Sequence, residues 1–411
     1  MDKNEKKILV FTSAVHFLTH FFMLVFPALV MSISRDLSIP LDRVLAISFL
    51  HYLCYGLLAL PWGYLSDRFG PRWIMGAGVL VSGIGFIMAS FTTSINGLSI
   101  CLGIVGLGCS AYHPSGLALI SKGIKVRGRA LGINGIWGNL GIAGGPFAAG
   151  ILSFLLNWQN ALRIFGFFGV IAGVICFIVP FSVERESELQ KGTTVEKGHA
   201  VKLFLIICVS MFFSGLMYRG FTLILPTFME FKLAHILANL KGFFAEIFTS
   251  VKITRDVDTL FASVITGCVF LVGMAGQYIG GKMADKKDLR FAYLSFFSLA
   301  FPFLILLSVL DGVFIIFSSG MFALFSLGMQ PIENSLVAML TPPKWRSLSY
   351  GLKFSIVFGA GSLSVWLVSY VSKIYGLNSV ILLLSSYLVF VIFTILILII
   401  SSRGQPIKHK T

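Results

Sequence analysis

Charge is scarce in this sequence. Of its 411 residues only 12% are Asp, Glu, Lys or Arg, while 56% are hydrophobic. A soluble domain carries about twice that charged fraction, so an ordinary water-soluble globule does not fit. Acidic residues are the scarcest, 17 against 32 basic ones. Cysteines number six, and Cys54, Cys101, Cys109, Cys176, Cys208 and Cys268 all lie inside apolar blocks with no C-x-x-C pair. That excludes a disulfide framework and a thiolate metal site from the reading. There is no G-x4-G-K-S/T loop to cradle the phosphates of ATP. His113-Pro114-Ser115 lacks the G-x-S-x-G surroundings of a nucleophile elbow. With no cluster of catalytic residues, an enzyme is the remotest class, and neither a cofactor nor a metal is expected.

What the chain has instead is apolar blocks of about 20 residues or more, each long enough to cross a bilayer as a helix. Twelve spans fit, at about 8–33, 42–62, 73–93, 97–121, 130–156, 160–182, 201–230, 259–280, 291–310, 313–339, 347–372 and 378–401. The expected fold is therefore an all-α integral membrane protein. The run from Ile8 to Ile33 is too long for the apolar core of a signal peptide and is read as the first span, retained. The net charge of +15 would suggest nucleic acid in a soluble protein. Here about 22 of the 32 basic residues fall in loops on the side of the N-terminus. This bias puts both termini in the cytosol, makes the lipid bilayer the partner and leaves nucleic acid out.

The densest charge lies in Gly63-Tyr64-Leu65-Ser66-Asp67-Arg68-Phe69-Gly70-Pro71-Arg72, read as a short loop between two spans. It returns as Gly281-Lys282-Met283-Ala284-Asp285-Lys286-Lys287-Asp288-Leu289-Arg290. Gly63 matches Gly281, Asp67 matches Asp285, Arg68 matches Lys286 and Arg72 matches Arg290, with Asp288 standing where the first copy has Gly70. The displacement, 281 − 63 = 218, is close to half the chain. This is the spacing of a transporter built from two repeated halves. Polar residues 184–200 would be a cytoplasmic linker between bundles 1–183 and 201–411. The insertion 231–258 carries Leu237, Leu240, Phe243, Phe244, Ile247, Phe248 and Val251 at helical spacing. It is expected as an amphipathic helix on the outer membrane surface, with a lid or a partner contact as the alternative role.

Gly63-x3-Asp67-Arg68-x-Gly70-x-Arg72 resembles the loop 2–3 signature of the major facilitator superfamily, and with the twelve spans the resemblance covers essentially the whole chain. It implies two six-helix bundles rocking about a central cavity, with small-molecule cargo and alternating access, working as a monomer. The two charged loops would form a cytoplasmic latch, unless the arginines merely set topology. In span five, Gly141-x3-Gly145-Pro146-Phe147-Ala148-Ala149-Gly150 resembles the family's antiporter signature, with Ala149 in place of a glycine. These small residues flatten a helix face for packing and Pro146 can kink it, so a packing role and a hinge for coupling both stand. Tyr112-His113-Pro114 in span four, with His16-Phe17-Leu18-Thr19-His20 in span one, is similar to the fosmidomycin-resistance branch, which implies proton-linked drug export. At the position where that branch carries an acidic residue in span one, this chain has His20.

The candidate site follows from scarcity, because an ionisable residue inside the membrane is costly and marks function by default. His16 and His20, at i and i+4, share a helix face. Spacing suits a metal pair, but no third ligand is evident; a proton site or a substrate contact fits better. His51 reads as a packed, hydrogen-bonded residue. His113-Pro114 repeats as Gln330-Pro331, 330 − 113 = 217 residues on. Glu333 is the carboxylate placed well inside a span. Arg219, beside Tyr218 in mid-span seven, either binds an anionic group with its planar fork of donors or pairs with Glu333 or Glu230. Arg163 and Lys353, near span ends, are expected to snorkel. By family analogy spans one, four, seven and ten bring His16, His20, His113, Arg219, Gln330 and Glu333 together. The expected function is proton-coupled export of a small organic solute, an anionic metabolite or drug, at a bacterial inner membrane. An uptake carrier for an organic anion and a non-transporting receptor or scaffold remain alternatives.

Overall fold

The computed structural model describes residues 1–125, 127–179, 197–239, 257–341 and 346–403. Among these it is helical throughout, with no strand. Eleven helices are long and apolar enough to cross a bilayer, and a pair bent by 42°, Leu41–Leu57 with Ala59–Phe69, makes a twelfth. In chain order the other spans are Lys3–Leu37, Pro71–Ser90, Ile95–Ile120, Arg129–Leu155, Trp158–Ile178, Ala200–Lys232, Val257–Lys286, Leu289–Leu306, Phe314–Leu340, Ser349–Tyr375 and Leu377–Ser401. They are called spans one to twelve below, the bent pair being span two. Nearly all of the linker 184–200 lies outside the described residues. So do residues 240–256 of the insertion 231–258, of which a short helix at 234–239 is seen.

The charged stretches are less loop-like than their composition suggests. Gly63 to Phe69 completes the helix of span two, and only Gly70 stands between it and the next helix, which starts at Pro71. Gly70 has φ 93°, a left-handed conformation that costs glycine little. Pro71 supplies the fixed φ that suits a first helical position. In the second copy the helix runs on to Lys286, and Asp288 caps the next one by accepting a bond from the Arg290 N–H. The residue that breaks the repeat is thus the one that caps.

Spans four and ten are each interrupted at the repeated proline. Span four divides into Ile95–Cys109 and Tyr112–Gly123, and span ten into Phe314–Gly328 and Gln330–Leu340. Pro114 and Pro331 have no N–H for the carbonyls of Ser110 and Leu327 four residues back, so each helix slips out of register there. Span eleven carries a different irregularity, a π-helical turn over Ser355–Ala360.

Small residues set the closest packing. Span five lies along span one, and a Cβ at Gly141 would stand 2.2 Å from the Phe17 carbonyl oxygen. One at Gly145 would stand 2.6 Å from the Phe21 carbonyl oxygen, and one at Gly150 2.5 Å from the Ser263 Cβ of span eight. The helix continues through Pro146. Spans one to six meet spans seven to twelve through three helix pairs above all: five with eight, two with eleven, and one with seven.

Candidate functional site

Three histidine rings meet between spans one and four. His16 and His20 project from one face of span one, with ring centroids 4.9 Å apart. The break in span four turns His113 toward them, 5.4 Å from each. Each ring offers a nitrogen within 4.8 Å of the others. The Nδ1 of His16 lies 2.8 Å from the Asn134 backbone carbonyl, and its ring stacks on Tyr112 at 4.5 Å. Tyr112 donates its hydroxyl to the Asn134 side chain at 2.7 Å. His113 Nε2 lies 2.9 Å from the Tyr55 hydroxyl. Its other neighbours come from span eleven: Phe354 stacks on it at 4.5 Å and Phe358 of the π turn stands 5.4 Å away. The third imidazole that the spacing of His16 and His20 does not reveal is therefore present.

Arg219 is 2% exposed, in the middle of span seven. Its guanidinium sits 3.8 Å above the ring of Tyr52 and 5.8 Å from that of the half-buried Tyr218. A cation over an aromatic face is attracted, by about 2 kcal/mol when desolvated. That attraction leaves hydrogen-bonding capacity unused, since among the described residues Nε and Nη1 have no hydrogen-bond partner. The Tyr52 hydroxyl and His51 Nε2 are unpartnered too. His51 Nδ1 is held by the Leu102 carbonyl at 2.9 Å.

Neither carboxylate suggested as a partner for Arg219 serves that purpose. Glu333 pairs with Lys353 at 2.8 Å, the two side chains 2% and 6% exposed, and accepts a bond from the Tyr293 hydroxyl at 2.5 Å. Glu230 pairs with Arg35, and Thr259 donates to it at 2.9 Å. Lys353 does not snorkel: it turns inward to Glu333 and the Asn334 side chain. A buried carboxylate needs a counter-charge, and Lys353, 20 residues on in the next span, supplies it. Arg163, by contrast, stays half-buried, over the Phe91 ring at 4.4 Å. Gln330 accepts a bond from Gln277 at 2.8 Å, and Gln277 also donates to Asn139 of span five at 3.2 Å, a polar bridge between the halves.

The latch residues lie at the N-terminal end of the bundle and hold contacts within their own halves. Asp67 meets Lys122 at 3.2 Å, both well exposed. Arg72 donates to the carbonyls of Cys176 and Phe177 at the end of span six. Arg68 is exposed beside the Phe69 ring. Arg290 binds Asp288 at 2.6 Å and the Ser402 carbonyl at 2.8 Å. Asp285 and Lys286 are exposed. A Cβ at Gly63 would meet Pro114 at 3.3 Å, whereas Gly281 faces open space.

The opposite end carries contacts between halves that the sequence did not single out. There Arg35 pairs with Glu230 and donates to Thr259 at 2.6 Å. Ser369 donates to the Asp42 carbonyl at 2.7 Å, and Lys373 stands 3.7 Å from the Asp42 carboxylate.

Comparison with known proteins agrees with this architecture. The model of the Major Facilitator Superfamily matches residues 9–352. An MFS-type transporter, YfnC, of Bacillus subtilis is 22% identical over 87% of this chain and 84% of its own. The 4-hydroxybenzoate transporter PcaK of Pseudomonas putida is 31% identical over a shorter stretch, 29% of this chain and 27% of its own. Among solved structures, a bacterial homologue of the human lysosomal transporter Spinster, in an inward-facing and occupied conformation, superimposes with a TM-score of 0.73. It covers 98% of both chains at 14% identity.

Proposed function

Because this chain belongs to the major facilitator superfamily, we propose that it is a secondary transporter that exports a small organic anion in exchange for protons. The observation that carries the anion is Arg219: a buried guanidinium with two unpartnered nitrogens, while both nearby carboxylate candidates are taken by other cations. A cation kept from water and left without a counter-ion is costly unless an anion arrives to meet it. Its planar fork suits a carboxylate or phosphonate, and the rings of Tyr52 and Tyr218 suit an aromatic or otherwise flat body. PcaK, which carries 4-hydroxybenzoate by name, is a relative of the same chemical kind.

Coupling falls to Glu333 with Lys353 and Tyr293, and to His20. Protonating Glu333 would dissolve its pair with Lys353, the residue next to Phe354, which covers His113. The pair thus lies one residue from the wall of the histidine cluster. With the N-terminus in the cytosol of a bacterial cell, the end held by Arg35 and Glu230 faces outward. Gly63, Asp67, Arg68, Gly70 and Arg72, with Gly281, Asp285, Lys286 and Arg290, then close the cytoplasmic end in the opposite state. Gly141, Gly145, Pro146 and Gly150 keep span five close to spans one and eight. Transport assays in proteoliposomes test the reading. Arg219→Ala is expected to abolish saturable flux of aromatic carboxylates, and unchanged affinity would remove Arg219 from the site. Glu333→Gln and His20→Ala are expected to lose the response to an imposed pH gradient, and a full response in both would rule out this coupling route.

A further inference from the structure

The histidine cluster has features that anion transport does not use. Among the described residues three imidazoles, and no carboxylate or thiolate, converge in a buried place. An imidazole-only donor set suits zinc, nickel and copper rather than magnesium or calcium. The tautomer of His16 is set from outside. Its Nδ1 must donate to the Asn134 carbonyl at 2.8 Å, which leaves Nε2 with a free lone pair. This is the arrangement by which metal-bound histidines are oriented, the second nitrogen donating to a backbone oxygen. On the other side the ring of His16 is pressed by Gly138 of span five, where a Cβ would fall 2.6 Å from Nε2. His113 is oriented by the Tyr55 hydroxyl at 2.9 Å and by the stacked Phe354. His20 makes only ring contacts, to His16 and His113, and among the described residues none hydrogen-bonds it.

We propose that His16, His20 and His113 form a binding site for one divalent transition-metal ion, with three imidazole ligands and an open fourth position. Nitrogens around a tetrahedral zinc ion stand about 3.3 Å apart. The cluster, at up to 4.8 Å, closes by ring movements on the order of 1 Å, which the unanchored His20 can supply. The nearby charges oppose the ion: Arg219 lies within electrostatic reach of His20, and Lys353 of His113. An open fourth position that takes an anion offsets that repulsion. Metal and anion therefore bind more tightly together than apart. The site stands on the cluster alone and does not require Arg219 to hold the cargo.

The test is calorimetric titration of Zn²⁺ and of Ni²⁺ into the purified full chain in nanodiscs, any affinity tag removed. Zinc X-ray absorption counts the imidazoles. One ion per chain and three imidazole nitrogens are expected. His20→Phe keeps a ring in place and removes a ligand, so affinity should fall by more than about 100-fold, beyond the 10–100-fold typical of second-shell changes. Tyr55→Phe should cost about 10-fold. Arg219→Ala should tighten metal binding several-fold by removing a like charge, although it abolishes anion flux; the two readings thus fail separately. His113→Phe guards against a His20 variant that misfolds. Equal affinity in wild type, His20→Phe and His113→Phe would assign the ion to surface histidines and overturn the proposal. So would the absence of stoichiometric binding, which would leave the cluster a proton site only.

Discussion

The two ends of the helical bundle are held together in different ways. At the N-terminal end the conspicuous charges are spent inside each half: Asp67 on Lys122, Arg72 on the end of span six, Arg290 on Asp288 and Ser402. At the opposite end, Arg35, Asp42, Glu230, Thr259, Ser369 and Lys373 join one half to the other. The difference teaches that density of charge in the sequence does not mark where the halves grip. The gripping residues are spread thinly, one or two from each of spans one, two, seven, eight and eleven, while the dense repeats make their contacts within one half.

Removing the main grip should have the largest effect. Arg35→Ala leaves Glu230 buried without its cation, which should cost about 3 kcal/mol, reduced from the fully buried case because Arg35 is partly exposed. Spin labels across that end should move apart, and an unchanged distance distribution would refute the idea that this pair seals it. Arg290→Ala should cost about 2 kcal/mol through lost charged hydrogen bonds. It should shift no distance between halves, since its partners belong to its own half; a widened seam would erase the contrast between the ends. Lys373→Ala removes a partly exposed pair, 3.7 Å apart, worth less than about 1 kcal/mol, so only a slight rise in opening at the sealed end is expected. Asp67→Asn should leave the melting temperature where it is, its ion pair being exposed. Transport should nevertheless slow if Asp67 reaches across the halves in the other state. Normal flux would reduce the charged repeat to a topology signal.

Much of the fold was legible because hydropathy and repetition are properties of the chain itself. Apolar blocks located the spans, and His113-Pro114 with Gln330-Pro331 marked the repeat, at which the structure breaks two helices. Boundaries erred where helices outrun the apolar layer, as in the stretch Gly63–Phe69, charged yet helical. The site was legible residue by residue but not as a set of partners. Arg219 and Glu333 were recognisable as costly residues in a membrane. That Lys353 takes Glu333 and Arg35 takes Glu230, at separations of 20 and 195 residues, depends on how helices face each other, which periodicity along one helix does not encode. His113 was placed near His16 and His20 by family analogy, but the spacing along span one did not show it as a third imidazole. The π turn at Ser355–Ala360, which packs against spans two and seven, has no sequence signal beyond its glycine.

That packing has one more consequence. Where spans two and eleven touch, Gly56 presses backbone to backbone on the π turn, and a Cβ on Gly56 would stand 2.1 Å from the Gly359 nitrogen. A Cβ on Gly359 would find Leu57 at an ordinary 3.4 Å. The seam is therefore lopsided: an added methyl is a wedge on one rail and harmless on the other. Any sliding of the two rails has little side chain to release at that point: the Ser355 hydroxyl on the Gly56 carbonyl at 3.5 Å and the Phe358 ring on Tyr55 at 4.7 Å.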